Sequence, residues 1–186
     1  MRVSLEPSLI EHCAPTLASI KVGSLFSFVS PCWDTLSAET KRLNDQLRLK
    51  GVSLRVIRAD ECRALCYLYR EGQLTRLLDD PEVAAFLRAR GYTSLCVQDA
   101  LDTLCERLAA QADFPHEVGL FLGYPLSDVI AFIENKGQGC LCCGCWKAYS
   151  NACDAQKLFA KFKKCTEVYK RLYLSGRTLH QLTVAV

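Results

Sequence analysis

Apolar residues recur along the chain with two different periods, and the switches between them mark the elements. In EPSLIEHCAPTLASI, Leu9, Ile10 and Cys13 fall on one side of a helix that Pro15 breaks or kinks. GSLFSFVS is a short β-like run ended by Pro31. SAETKRLNDQLRLKG predicts a helix that Ser37 caps, with Leu43 and Leu47 four apart and Gly51 closing it. In VSLRVIRAD and CRALCYLYR, the positions Leu54, Val56, Ala64, Cys66 and Leu68 alternate with period two. Only a few residues around Asp60 separate the two runs, which predicts a β-hairpin.

Helical spacing then takes over. GQLTRLLDD and PEVAAFLRARG predict two short helices, the second opened by Pro81 and stopped by Gly91. SLCVQDALDTLCERLAAQ carries Leu101, Leu104, Cys105 and Leu108 on one face. HEVGLFLGYP is a compact apolar run that ends at Gly123 and Pro125, and it predicts a fourth strand. LSDVIAFIENKG predicts a short helix with Ser127 or Asp128 near its start and Gly137 at its end. A cysteine-rich loop over 137–150 follows, then a basic helix over 153–175 whose stripe is Leu158, Phe162, Cys165, Tyr169 and Leu172. This order predicts an α+β fold: a four-stranded, mainly antiparallel sheet of the split βαββαβ kind with helices on one face, and a C-terminal helical extension. The 186 residues are expected to form a single domain.

Composition narrows the functional class. Half the residues are hydrophobic and 23% are charged, which excludes a disordered chain. No apolar run reaches the roughly 18 to 20 residues needed to span a bilayer. Glu6 and Glu11 interrupt the N-terminal segment where an export signal needs an apolar core, so a cytoplasmic location is expected. Twelve cysteines are many for this length, and in a reducing compartment they stay free. Such usage is safest where oxygen is scarce, which suggests an anaerobe. Charge is uneven. From Lys147 onward eight Lys and Arg stand against two acids, although the whole chain is only +3. That basic segment points to an anionic ligand or protein partner at the C-terminal helix, with Lys147, Lys161 and Lys164 as the candidate contacts. Nucleic-acid binding would rest on this one helix and is not expected. Phosphate-binding glycine loops, a serine-nucleophile elbow and a zinc-protease helix are all missing from the sequence.

The densest chemistry lies in GCLCCGCWKAYS, where Cys140, Cys142, Cys143 and Cys145 make two interleaved Cys-x-x-Cys pairs. Two thiolates at that spacing converge on one ion about 2.3 Å from each, and Gly139 and Gly144 allow the tight turn. Soft thiolates select zinc or an iron–sulfur cluster. Four ligands within six residues rarely enclose one tetrahedral ion, so Cys153, Cys165, Cys13 or His12 would have to complete the site. The same pairs also suit dithiol–disulfide chemistry, and free cysteines pack as small hydrophobes. His116 and Glu117, before the apolar run, are candidate acid–base groups. Cys13 beside His12 is a candidate nucleophile, but neighbours on a helix point about 100° apart, so each needs a partner from elsewhere.

The stretches EHCAPTLASIKVGSLFSF, FPHEVGLFLGYPLSDVIAFIENKG, CCGCWKAY and AQKLFAKFKKCTEVY together resemble domain-of-unknown-function family 3793, a cysteine-rich family of anaerobic Gram-positive bacteria. The likeness runs over essentially the whole chain and is most specific from Pro115 to Tyr149. It implies a cytoplasmic single-domain protein and transfers no activity and no site residue. Three functions are therefore carried forward: a metal or iron–sulfur binding module, a thiol redox or transfer enzyme, and an interaction or regulatory protein whose cysteines merely pack.

Overall fold

Helix α1 (Glu6–Leu17) turns Leu9, Ile10 and Cys13 inward, as their spacing requires, and all three are buried. The structure, a computed structural model, describes residues 4–29, 32–60, 62–110 and 114–185. Pro15 does not break α1. It sits in the final turn, and the helix ends two residues later. Strand β1 (Gly23–Val29) follows, and Pro31, expected to end it, lies outside the described residues. Helix α2 (Trp33–Leu47) starts before Ser37, which is interior and caps nothing; Cys32 is the flanking residue instead. Leu36 extends the Leu43–Leu47 stripe by two turns, and this earlier apolar position sets the true start. A 3₁₀ turn (Arg48–Lys50) then closes on Gly51 at φ 70°.

The hairpin forms as its alternation predicts. Strands β2 (Val52–Ala59) and β3 (Arg63–Arg70) pair antiparallel, and Asp60 Oδ1 accepts from the Arg63 N–H at 2.8 Å to fasten the turn. Strand β1 pairs antiparallel with β3 on its other side, with Phe26 opposite Cys66, so the order is β1-β3-β2. Cys66 and Leu68 face a core shared with α1 and α2. Tyr67 and Tyr69 point the opposite way, into a second core built by α3 (Glu71–Leu78), α4 (Pro81–Arg88) and α5 (Val97–Ala110). Helices therefore cover both faces of the sheet, not one. The central strand is buried almost continuously because period-two alternation places apolar residues of β3 on both sides.

The expected fourth strand is a helix. Residues Val118–Phe121 form α6, all four buried, and the chain then turns sharply so that the Tyr124 N–H donates to the Gly119 carbonyl at 2.9 Å. A short apolar run enclosed on every side carries no periodicity, so its length and bounding residues alone cannot separate strand from helix. The Tyr67 hydroxyl donates to the Phe121 carbonyl at 2.5 Å, which seats α6 on the face of the sheet rather than at its edge. Gly23 makes this contact possible: a Cβ there would lie 2.5 Å from the Tyr67 hydroxyl and 2.7 Å from the Phe121 carbonyl oxygen. The fold is thus α+β with a three-stranded antiparallel sheet. A separate two-stranded hairpin, β4 (Cys142–Cys143) with β5 (Lys147–Ala148), follows helix α7 (Leu126–Glu134). The expected basic helix is α8 (Ala152–Leu174), which packs along α1 and leads into α9 (Leu179–Leu182).

Arg70, the last residue of β3, is fully buried without a carboxylate partner among the described residues. Its Nε donates to the Thr16 carbonyl at 2.7 Å, and one terminal nitrogen donates to the carbonyls of Leu17 at 2.5 Å and Val184 at 2.9 Å. The Thr16 and Leu17 carbonyls belong to the last turn of α1, at the negative end of its dipole, and the Val184 carbonyl comes from the C-terminal segment. Arg70→Met, similar in length and unable to donate, is expected to destabilise the fold by about 4 kcal/mol, since several buried carbonyls lose a charged donor. Urea unfolding measures this, and a loss under about 1 kcal/mol would show that water substitutes for the guanidinium.

Candidate functional site around the cysteine hairpin

One buried carboxylate organises the cysteine hairpin. Asp128 lies in the first turn of α7 and is 3% exposed. Its Oδ1 accepts from the Tyr149 N–H at 2.9 Å, the Ser150 N–H at 3.1 Å and the Ser150 hydroxyl at 3.0 Å. Its Oδ2 accepts from the Trp146 indole N–H at 2.8 Å. Four neutral donors thus take the place of a counter-ion. They fix the hairpin against α7, and Trp146 becomes the centre of a small third core with Ala148, Ala155 and Phe162. Tyr124 stacks on Trp146 with ring centroids 5.1 Å apart, and its hydroxyl donates to the Cys145 carbonyl at 2.9 Å. Phe159 meets the Trp146 indole edge-on at 4.5 Å. Gly144 serves this packing. A Cβ there would fall 2.2 Å from the Phe159 ring, so a side chain is excluded by contact, whereas Gly139 supplies the left-handed turn at φ 70°.

Beside the hairpin opens a cavity of about 260 Å³. Phe114, Tyr124, Phe132 and Trp146 supply ring surfaces to it, and His116, Cys143 and Lys147 supply its reactive and polar edge. The His116 ring meets Phe132 edge-on at 5.0 Å. Lys147 donates to the Gly137 carbonyl at 2.7 Å, with its ammonium 5.9 Å from the Phe132 centroid. Three residues singled out from separate arguments on the sequence therefore share one cavity.

The other candidates are placed elsewhere. Glu117, next to His116, turns the opposite way. It is 3% exposed and pairs with Arg107 Nε at 2.5 Å, while the Tyr92 hydroxyl donates to it at 3.4 Å. That bond set gives Glu117 a structural role between α5 and α6. Cys13 is buried in the first core, where desolvation pushes its thiol far above the ordinary range, and the neighbouring Cys66 thiol is pushed up to about 12 for the same reason. His12 is exposed and stacks on Phe26 at 5.8 Å. Lys161 and Lys164 lie exposed on α8 and line neither the cavity nor the cleft that Cys145 faces.

Three of the four loop thiols diverge. Cys142 packs into the third core with its Sγ 3.8 Å from the Ala152 carbonyl, Cys143 lines the aromatic cavity, and Cys145 lines a separate cleft. Among the described residues, no three His, Cys, Asp or Glu side chains are grouped as a metal ion requires. The hairpin separates two of these thiols directly, because it sends the successive side chains of Cys142 and Cys143 to opposite faces.

The chain belongs to a family of unknown function. The family, described as "Protein of unknown function (DUF3793)", matches residues 9–183. No curated protein and no solved structure matches the chain. The match begins within α1 and ends just past α9, so the residues of both the hairpin and the aromatic cavity fall inside it.

Sequence reasoning passed over several site residues. Asp128 reads locally as a helix-start residue, and nothing nearby signals that its partners lie some twenty residues on. The cavity rings come from three separate segments. Cys32 is a third omission: the Thr35 N–H, the Thr35 hydroxyl and the Asp34 N–H hold its thiol below the ordinary range, as expected for a thiol flanking the start of a helix.

Two outcomes follow from this geometry. Asp128→Ala strips four donors of their acceptor and is expected to cost about 3 kcal/mol, with Trp146 fluorescence shifting to longer wavelength as the hairpin lifts. An unchanged emission spectrum would contradict the hub role. Thiolate is the reactive form, so alkylation near neutral pH is expected to reach Cys32 well before Cys13 or Cys66, which react only on unfolding. Timed alkylation with peptide mapping checks the order.

Proposed function

We propose that this chain is a small-molecule-binding module whose site is the aromatic cavity beside the cysteine hairpin. One observation carries the reading: ring surfaces from Phe114, Tyr124, Phe132 and Trp146 converge on a space of about 260 Å³ that His116, Cys143 and Lys147 also line. Ring walls with a few polar groups at one side are the ordinary make-up of a ligand pocket. The volume lies just below the roughly 300 Å³ at which drug-sized pockets begin, so the ligand is small and planar, of one or two rings. His116 and Lys147 suit a ligand bearing a hydrogen-bond acceptor or an anionic group.

Thiol chemistry is the second reading, favoured by the presence of Cys143 and His116 in the same cavity. There a bound electrophile meets a thiol and an imidazole able to take its proton. A resident metal or cluster is supported less well, because the loop thiols face different surroundings.

Binding is measured by titrating benzoate, phenol and indole against the emission of Trp146, with the exposed Trp33 replaced by Phe. A saturable change is expected for at least one probe, and Cys143→Phe, which fills the cavity from its exposed wall, is expected to abolish it with little change in thermal midpoint. No saturable response to any of the three would sink the reading. Saturation that survives the filled cavity would sink it too.

A further inference from the structure

A second concavity, of about 410 Å³, runs between α1, the start of β1 and α8, and its wall includes His12, Lys21, Cys145, Phe162, Lys163 and Lys170. Lys21 is the anomaly there. Its ammonium sits between two rings, with Nζ 5.8 Å from the Tyr124 centroid and 5.9 Å from the Phe162 centroid. Among the described residues it donates to no acceptor and pairs with no carboxylate. Other lysines differ. Lys50 and Lys147 donate to carbonyls, Lys170 pairs with Glu11 at 2.6 Å, and Lys161, Lys163 and Lys164 are exposed to water. The ionisable groups acting on Lys21 are the thiols of Cys145 and Cys13, and burial pushes both up, so neither supplies a negative charge near neutral pH. Burial accordingly holds the Lys21 ammonium below the usual lysine range.

A desolvated lysine without a counter-ion, open to a cleft, is arranged to act as a free amine. We propose that Lys21 is the nucleophile of a second site, one that condenses reversibly with the carbonyl carbon of a small aldehyde or 2-oxo acid. The neutral Nζ forms a C–N bond to that carbon, the carbonyl oxygen gains a proton, and the carbinolamine loses water to leave an imine. Hydrolysis reverses the sequence, and no electrons are gained or lost. His12, on the same wall, takes the proton from the ammonium and returns it to the departing water. Lys163 and Lys170 attract an anionic substituent of the carbonyl compound, with Glu167 on the wall and Glu11 on Lys170 moderating the field.

The intact chain is treated with glyoxylate and cyanoborohydride near neutral pH, which fixes any imine as a stable secondary amine, and the adducts are mapped by peptide mass. Lys21 is expected to be modified severalfold faster than any exposed lysine, because burial that lowers its pKa leaves more of it as free amine near neutral pH. Labelling that instead follows exposure, with Lys157, Lys161 and Lys164 ahead of Lys21, overturns the proposal. Lys21→Arg keeps a cation between the rings and removes the nucleophile, so the fast phase is expected to vanish while labelling of exposed lysines continues. A fast phase that persists in K21R overturns the proposal equally. Should that variant fail to fold, the map on the unaltered chain decides alone.

Discussion

A buried guanidinium that finds its partners in backbone carbonyls ties the N-terminal helix and the C-terminal segment to the sheet. Arg70 reaches from the last position of β3 to the closing carbonyls of α1 and to the carbonyl of Val184. Among the described residues the positive charge is matched by backbone carbonyl dipoles, and burial lowers its pKa. The arrangement holds because a helix C-terminus presents several carbonyls at once, and their summed partial charge stands in for a carboxylate. Every element that frames the site inherits this anchoring. Helix α1 fixes where α8 can lie, and α8 provides Phe159 and Phe162, on which the cysteine hairpin rests.

Asp128 repeats the device with the sign reversed. Its carboxylate is enclosed by two backbone N–H groups, a hydroxyl and an indole N–H. A buried anion satisfied in this way costs less than an unpaired one and specifies geometry more sharply than an ion pair, because each donor has a fixed direction. It converts a stretch with only four strand residues into an ordered wall. Lys21 shows what happens when neither solution is available. Two ring faces lie near its ammonium, but no hydrogen-bond acceptor or carboxylate among the described residues completes the balance.

The hairpin also explains why closeness in sequence fails to become closeness in space. Cys142, Cys143 and Cys145 are near neighbours along the chain, yet they enter a core, a cavity and a cleft respectively. A metal knuckle needs a backbone that curls its thiols inward. A two-residue ladder does the reverse for Cys142 and Cys143, since successive positions point to opposite faces. His116 and Glu117, in the turn that opens α6, also part company: one reaches the aromatic cavity, and the other closes a buried pair with Arg107.

Local physics was enough for much of the fold. The β2–β3 hairpin followed from period-two alternation around Asp60, and α3, α4, α5, α7 and α8 followed from apolar stripes with recognisable starts and stops. Family membership was equally legible. Three features were not. The run Val118–Phe121 became a helix because it is buried on every side and so carries no period to read. The second covered face of the sheet arose because Tyr67 and Tyr69 met helices from far along the chain. The separation of Cys142, Cys143 and Cys145, and the gathering of His116, Cys143 and Lys147 in one cavity, came from contacts between distant segments, among them Asp128 reaching some twenty residues on to the hairpin. By itself, then, the sequence determined which residues bear chemistry and most of the elements that carry them, because periodicity and caps are short-range properties. Which of those residues meet was left to tertiary structure, because it depends on long-range contacts between buried polar groups and their neutral partners, for which adjacent residues leave no trace.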